Sequence, residues 1–110
     1  MKSFETFVKK DSTKPKWSLL PMDVVGEIVK VLTWALGRYP RDNWKNAKGK
    51  TRKDFVDALY RHLAEFTLDP YSKDSESGYL HIIHAGTNII FLIWFTLNGG
   101  FEDESDTYTK

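Results

Sequence analysis

Three histidines carry most of the chemistry in this sequence, and each falls in a stretch with helical periodicity. His81 and His84 are three residues apart, which makes them neighbours on one helical face. Asn88 continues that line four residues later. On an earlier stretch His62 and Glu65 repeat the three-residue spacing, and Asp69 follows at its end. Two inward-facing helices that each carry a pair at i and i+3 are how helical bundles build metal sites. Burying such groups without partners costs about 1–3 kcal/mol each. Something must satisfy them: one another, carboxylates of the neighbouring helix, or a metal. The expected metal ligands are His62, Glu65, His81 and His84. Glu65 is either a ligand or the general base on a metal-bound water. Asp74 or Glu76 can close the site from the loop between the helices. The other reading of the same residues is a hydrogen-bonded polar seam without an ion. Magnesium prefers oxygen donors, whereas imidazole suits manganese, iron, cobalt, zinc, nickel or copper.

These residues need helices to position them. Val24, Ile28, Val31, Leu32 and Ala35 predict a first helix over 21–36, with Pro21 in its first turn and Gly37 after its end. Thr51 can cap a second helix, with Asp54 three residues on. Phe55, Leu59, His62 and Phe66 share one face of it, and it stops before Pro70. Residues 69–77 read as an acidic, turn-rich loop. A third helix is expected over 78–97, halted by Gly99 and Gly100. It is apolar nearly all round and should be central. The fold class is therefore all-α: one domain over 1–110, with an extended segment over 1–20, a helical core over 21–97 and a frayed acidic tail over 98–110. So much apolar surface on the third helix predicts a homodimer that completes a helical bundle. The run from Leu80 to Leu97 nears the length that spans a bilayer. It contains His81, His84 and Asn88, so a buried helix is the expectation and a membrane span is not.

With 110 residues the chain is one domain of ordinary size, able to bury a core without staples. It has no cysteine, which excludes disulfides, thiolate zinc sites, iron–sulfur ligation and cysteine nucleophiles. Met1–Lys10 is polar and does not read as a secretory signal. Net charge is +1, unevenly spread: residues 1–61 hold 14 Lys/Arg against 7 Asp/Glu, and residues 62–110 hold 2 against 8. In the basic half, Lys14, Lys16, Arg38, Arg41, Lys45, Lys48, Lys50, Arg52 and Lys53 surround Trp17, Tyr39 and Trp44. Cations beside stacking aromatics suit a nucleotide. The tryptophans serve equally to anchor loops to the core. Arg61 can reach a phosphate or pair with Asp57, four residues back. No glycine-rich phosphate loop is present. Near-zero net charge and an acidic second half make nucleic acid an unlikely partner.

One ordered set of residues is distinctive. Lys14-Pro15-x-Trp17-x-Leu19-Leu20-Pro21 is followed by Tyr39 and Asn43-Trp44. Arg61-His62 comes next, then Asp74-x-Glu76-Ser77-Gly78 and His81-x-x-His84-Ala85-x-x-Asn88. Over about residues 13–97 this resembles the N-terminal domain family of dATP/dGTP diphosphohydrolases, which is common in bacteriophage genomes. That family is similar in layout to the all-α MazG-type nucleotide pyrophosphohydrolases, whose Glu-x-x-Asp helix binds magnesium. His81-x-x-His84 stands where Glu-x-x-Asp would be, and His62 with Glu65 stands for the carboxylate helix. The chain departs from the family at Ala35, where the pattern carries glycine.

The resemblance implies a divalent-metal-dependent hydrolase (magnesium or manganese, with iron, cobalt or zinc also suited to imidazole) that cleaves dGTP or dATP to the monophosphate and pyrophosphate. It places Lys14, Trp17, Asn43, Trp44, Arg52, Arg61, Asp74 and Asn88 on the substrate side. Lys14, Arg52 or Arg61 would neutralise phosphate charge. The expected setting is cytoplasmic, and the host cytoplasm if the chain is phage-encoded. The rival expectation is a non-catalytic phage accessory or inhibitor that binds a nucleotide or a host protein.

Overall fold

A computed structural model describes residues 13–41, 43–46 and 52–101 of the chain. Three helices dominate it: α1 (Met22–Ala35), α2 (Arg52–Leu68) and α3 (His81–Leu97). Short 3₁₀ turns occupy Trp17–Leu19 and Asn43–Asn46. The described residues form no strand beyond one isolated bridge, so the all-α expectation holds.

The helix boundaries follow from local chemistry. Pro21 is the N-cap of α1, and its carbonyl accepts from the N–H groups of Val24 and Val25. Asp23 in the first turn complements the helix dipole. At the other end the hydrogen bonds tighten: Leu36 donates to Thr33, Gly37 to Trp34, and Arg38 to Ala35. The proposed Thr51 cap of α2 lies outside the described residues. α3 starts at His81, three residues later than the apolar pattern suggested. Gly78 has φ +77° and belongs to the preceding loop, where Lys73 and Leu80 form an antiparallel bridge. α3 stops as expected, with Gly99 at φ +112° and Gly100 at φ +84°. The Gly100 N–H donates back to the Phe95 carbonyl at 2.6 Å.

α3 is the centre of the fold. α1 and α2 both pack on it and not on each other. α2 runs antiparallel to α3: Phe55 meets Phe91 and Phe95, while His62 meets His81 and His84. α1 approaches where α3 is thinnest, since a Cβ on Gly86 would lie 3.4 Å from Ile28 Cδ1. Further along, Trp34 sets its ring edge-on to His84 at 6.0 Å. The C-terminal end of α1 and the C-terminal half of α2 therefore converge on the N-terminal end of α3. The connection from α1 to α2 passes Trp44, whose ring stacks on Phe91 at 4.5 Å and meets Trp94 edge-on at 5.2 Å. Phe101, expected in the tail, folds back onto Phe95 at 5.2 Å and Phe55 at 6.4 Å. Residues 102–110 lie outside the described set.

Among the described residues, burial is confined to a few side chains. Val31, Phe55 and Ala85 are the buried apolar side chains, one from each helix, with Thr87 and His84 as buried polar ones. Thr87 satisfies its hydroxyl on the Ile83 carbonyl at 2.9 Å. Ile89, Ile90, Ile93 and Leu97 leave a stripe of α3 exposed. Among the described residues no helix is long and apolar enough to cross a membrane.

Candidate functional site

The three histidines meet where α2 crosses the start of α3. His62 and His81 bring their Nδ1 atoms to 2.8 Å, so one ring donates and the other accepts. The His62 ring also stacks on His84, with centroids 4.7 Å apart and planes 11° from parallel. The sequence spacing foresaw His81 and His84 together on one helix. The partner spacing on α2 delivers only His62, because Glu65 is exposed one turn further on.

The loop between α2 and α3 supplies the missing carboxylate. Ser72 ties it to the end of α2 through its hydroxyl on the Glu65 carbonyl at 3.3 Å. Ser72 also accepts the His81 N–H at 3.0 Å, linking the loop to the start of α3. Between the bridged residues Lys73 and Leu80 the chain turns tightly around Asp74. The Asp74 N–H donates to the Tyr79 carbonyl, and its carbonyl accepts from Gly78 N–H, both at 2.8 Å. Asp74 Oδ2 accepts the backbone N–H groups of Glu76 at 3.1 Å and Ser77 at 3.0 Å. An aspartate that caps its own turn in this way is held in one orientation. Its Oδ1 carries neither of these bonds.

His62, Asp74 and His81 each place one ligand atom within 4.8 Å of the other two. Two imidazole nitrogens and one carboxylate oxygen, drawn from α2, the loop and α3, form a donor set that fits a divalent cation. His84 stands beside this set. Its Nε2 lies 2.6 Å from Ser77 Oγ, which also accepts the Tyr79 N–H at 3.1 Å. The donor in this pair is set by the His84 tautomer, and the Ser77 side chain also hydrogen-bonds Asp74. His84 is thus bound to the loop that holds Asp74.

Electrostatics favour neutral rings at His62 and His84 and a negative carboxylate at Asp74. Burial, with His84 and His81 beside it, pushes His62 down to about 4 from an ordinary 6.5, against the opposing pull of Asp74. Burial also lowers His84, again opposed by Asp74. For Asp74 burial works upward. It is outweighed by the Ser77 N–H, the neighbouring His84 and the Glu76 N–H, which hold the carboxyl below its ordinary value. At neutral pH His62 offers a lone pair and Asp74 a negative charge, the states a metal ion requires.

The other expected site residues are dispersed. Arg61 is exposed beside His62 and contributes to that ring's low proton affinity. Asn88 turns its Nδ2 to the His84 carbonyl at 3.1 Å, within its own helix. Arg52 begins α2, ten residues or about 15 Å along the helix from His62. Trp44 is built into the aromatic cluster around Phe91 and Trp94, with Lys45 Nζ 5.4 Å above its ring. It acts there as the loop anchor that its residue type also allowed. Asn43 shares that 3₁₀ turn. Lys14 and Trp17 precede α1 in the chain, and Trp17 is 80% exposed.

Two contributions went unread in the sequence. One is Ser77, whose signal was its place in the Asp74-x-Glu76-Ser77-Gly78 run. The other is Arg38, which pairs with Glu76 at 3.3 Å and lies 5.5 Å over the Trp34 ring, joining α1 to the loop. No local pattern marks a contact between residues so far apart in the chain.

A family model described as "dATP/dGTP diphosphohydrolase, N-terminal" matches residues 5–105. A dATP/dGTP diphosphohydrolase of Salmonella phage PMBT28 is 29% identical over 99 residues, which is 90% of this chain and 33% of the relative. The chain thus spans about a third of that relative's length. No solved structure matches.

Proposed function

The chain belongs to the dATP/dGTP diphosphohydrolase N-terminal family, and from that premise we propose that it hydrolyses dATP and dGTP to the monophosphate and pyrophosphate at a metal-dependent centre formed by His62, Asp74 and His81. The observation that carries this reading is the convergence of those three side chains from three separate segments within 4.8 Å. In the proposed reaction a water oxygen bonds to the α-phosphorus and the bond from that phosphorus to the bridging oxygen breaks. Pyrophosphate leaves, and the water gives up its proton. A divalent ion, when bound, supplies Lewis-acid polarisation of a phosphate oxygen and a more acidic water.

The chain's own residues do the rest. His62 and His81 offer ring nitrogens, and Asp74 a carboxylate that stays ionised well below neutral pH. Ser77 and His84 hold the Asp74 turn against α3. Arg61, adjacent to His62, supplies positive charge for the phosphates, which is most of what phosphoryl transfer asks of a protein. Glu65, one turn beyond His62, is the proposed proton acceptor for the water.

The test is pyrophosphate release from a panel of deoxynucleoside and ribonucleoside triphosphates. The protein is first stripped of metal and then given single divalent ions. Metal-dependent release from dATP or dGTP is expected. It should be lost in Asp74→Asn and fall about 10²–10⁴-fold in Glu65→Gln if that residue is the base. Silence across the panel in a folded protein would refute hydrolysis and leave nucleotide or host-protein binding.

A further inference from the structure

We propose that the His62–Asp74–His81 cluster takes a six-coordinate first-row transition-metal dication, of the manganese(II), iron(II) or cobalt(II) class, in preference to magnesium. The inference rests on the metal-dependent reading above and deepens it by naming the kind of ion. The resemblance to carboxylate-built pyrophosphohydrolases implies a magnesium site made of oxygen donors. The described residues gather no such site. Among the described residues, the group able to hold an ion has two imidazoles and a single carboxylate. Magnesium dehydrates reluctantly and favours oxygen. Imidazole nitrogen raises affinity for the later first-row ions instead.

His62 Nδ1 and His81 Nδ1 are 2.8 Å apart, at hydrogen-bonding distance. Without an ion, one proton is shared between these two nitrogens. For both to bind a metal, the donating ring moves that proton to its own Nε2 through solvent, and no net charge is released. Asp74 offers the third ligand oxygen from a turn in which two backbone N–H groups hold its Oδ2. His84 is diverted to Ser77 and adds no fourth protein ligand. Three protein ligands on a six-coordinate ion leave three positions for water and phosphate oxygens.

The experiment is calorimetric titration of the metal-stripped full chain with Mn²⁺, Co²⁺, Zn²⁺ or Mg²⁺ alone, alongside the visible spectrum of the cobalt form. One Mn²⁺ or Co²⁺ per chain should bind about 100-fold or more tightly than Mg²⁺. The cobalt spectrum should be the weak one of six-coordinate sites. His62→Gln and His81→Gln should each weaken Mn²⁺ binding about 100-fold, and Asp74→Asn about 10-fold or more. Helicity by circular dichroism separates lost ligation from lost folding, and Asp74 sits in a loop where the asparagine can keep the turn. Equal or tighter Mg²⁺ binding, an intense tetrahedral cobalt spectrum, or unchanged binding in folded His62→Gln would overturn the proposal. Tight Mn²⁺ binding without nucleotide hydrolysis would sink the function and spare this inference. Magnesium-driven hydrolysis that survives His62→Gln would refute the ion preference and the placing of the centre at His62, and would spare only the hydrolysis itself.

Discussion

Acid should destabilise the metal-free protein well above the pH at which its carboxylates titrate, and His62 should account for much of that loss. In the unfolded chain His62 takes up its proton near 6.5, and in the folded chain only near 4. Between those values the unfolded state binds more protons, so stability rises with pH across the window. The gap sets a ceiling of about 3 kcal/mol. Partial exposure of the ring discounts it to about 1–2 kcal/mol. His84 is lowered too and acts in the same direction. Asp74, lowered from an ordinary 3.8, loses its contribution only below that pH, so measurements above 4.5 report on the histidines. The assay is urea unfolding in chelator at pH 7.5, 6.5, 5.5 and 4.5, followed by tryptophan fluorescence and far-ultraviolet dichroism. For a domain of this size the slope against urea is about 1 kcal/mol per M, so the midpoint should fall by about 1–2 M on acidification. His62→Gln cannot take up the proton, and its midpoint should fall less over the same range, whatever its stability at pH 7.5. A parallel fall in both proteins, or a wild-type midpoint that rises towards acid, would refute the reasoning.

Three further outcomes follow from the packing. Phe55 is 5% exposed and touches three other rings, so Phe55→Ala should cost about 3–5 kcal/mol; near-ultraviolet dichroism and the urea midpoint read the loss. Gly86→Ala should be nearly neutral, because its Cβ would stand 3.4 Å from Ile28 Cδ1. Gly86→Leu should push α1 away and cost about 1–3 kcal/mol in the same assay. The exposed stripe Ile89, Ile90, Ile93 and Leu97 lies on a helix without Asp, Glu, Lys or Arg, so a two-fold contact along the stripe would set like against like without repulsion. Sedimentation at micromolar concentration should find a dimer that Ile93→Glu converts to monomer, and a wild-type monomer would remove that expectation.

The sequence by itself determined the helices, their order and the centrality of the third. Apolar spacing over 21–36, 51–69 and 78–97 is a local property that located the helices to within about three residues, and Pro21, Pro70, Gly99 and Gly100 act close to where they stand. The same spacing brought His81 and His84 onto one helix and made His62 their natural partner. What tertiary structure decided was which atoms meet. A three-residue interval fixes a face but not how far the helix is rotated towards its neighbour, so Glu65 stayed outside while His62 went in. The carboxylate came from Asp74, because a turn closed by Gly78 and the Lys73–Leu80 bridge carries it back over the start of α3. That same turn brings Ser77 to 2.6 Å from His84 and draws the ring's Nε2 into the loop. Helix formation depends on neighbours in sequence. The donor set at this site depends on loop closure and helix rotation, which bring together residues that no short window contains.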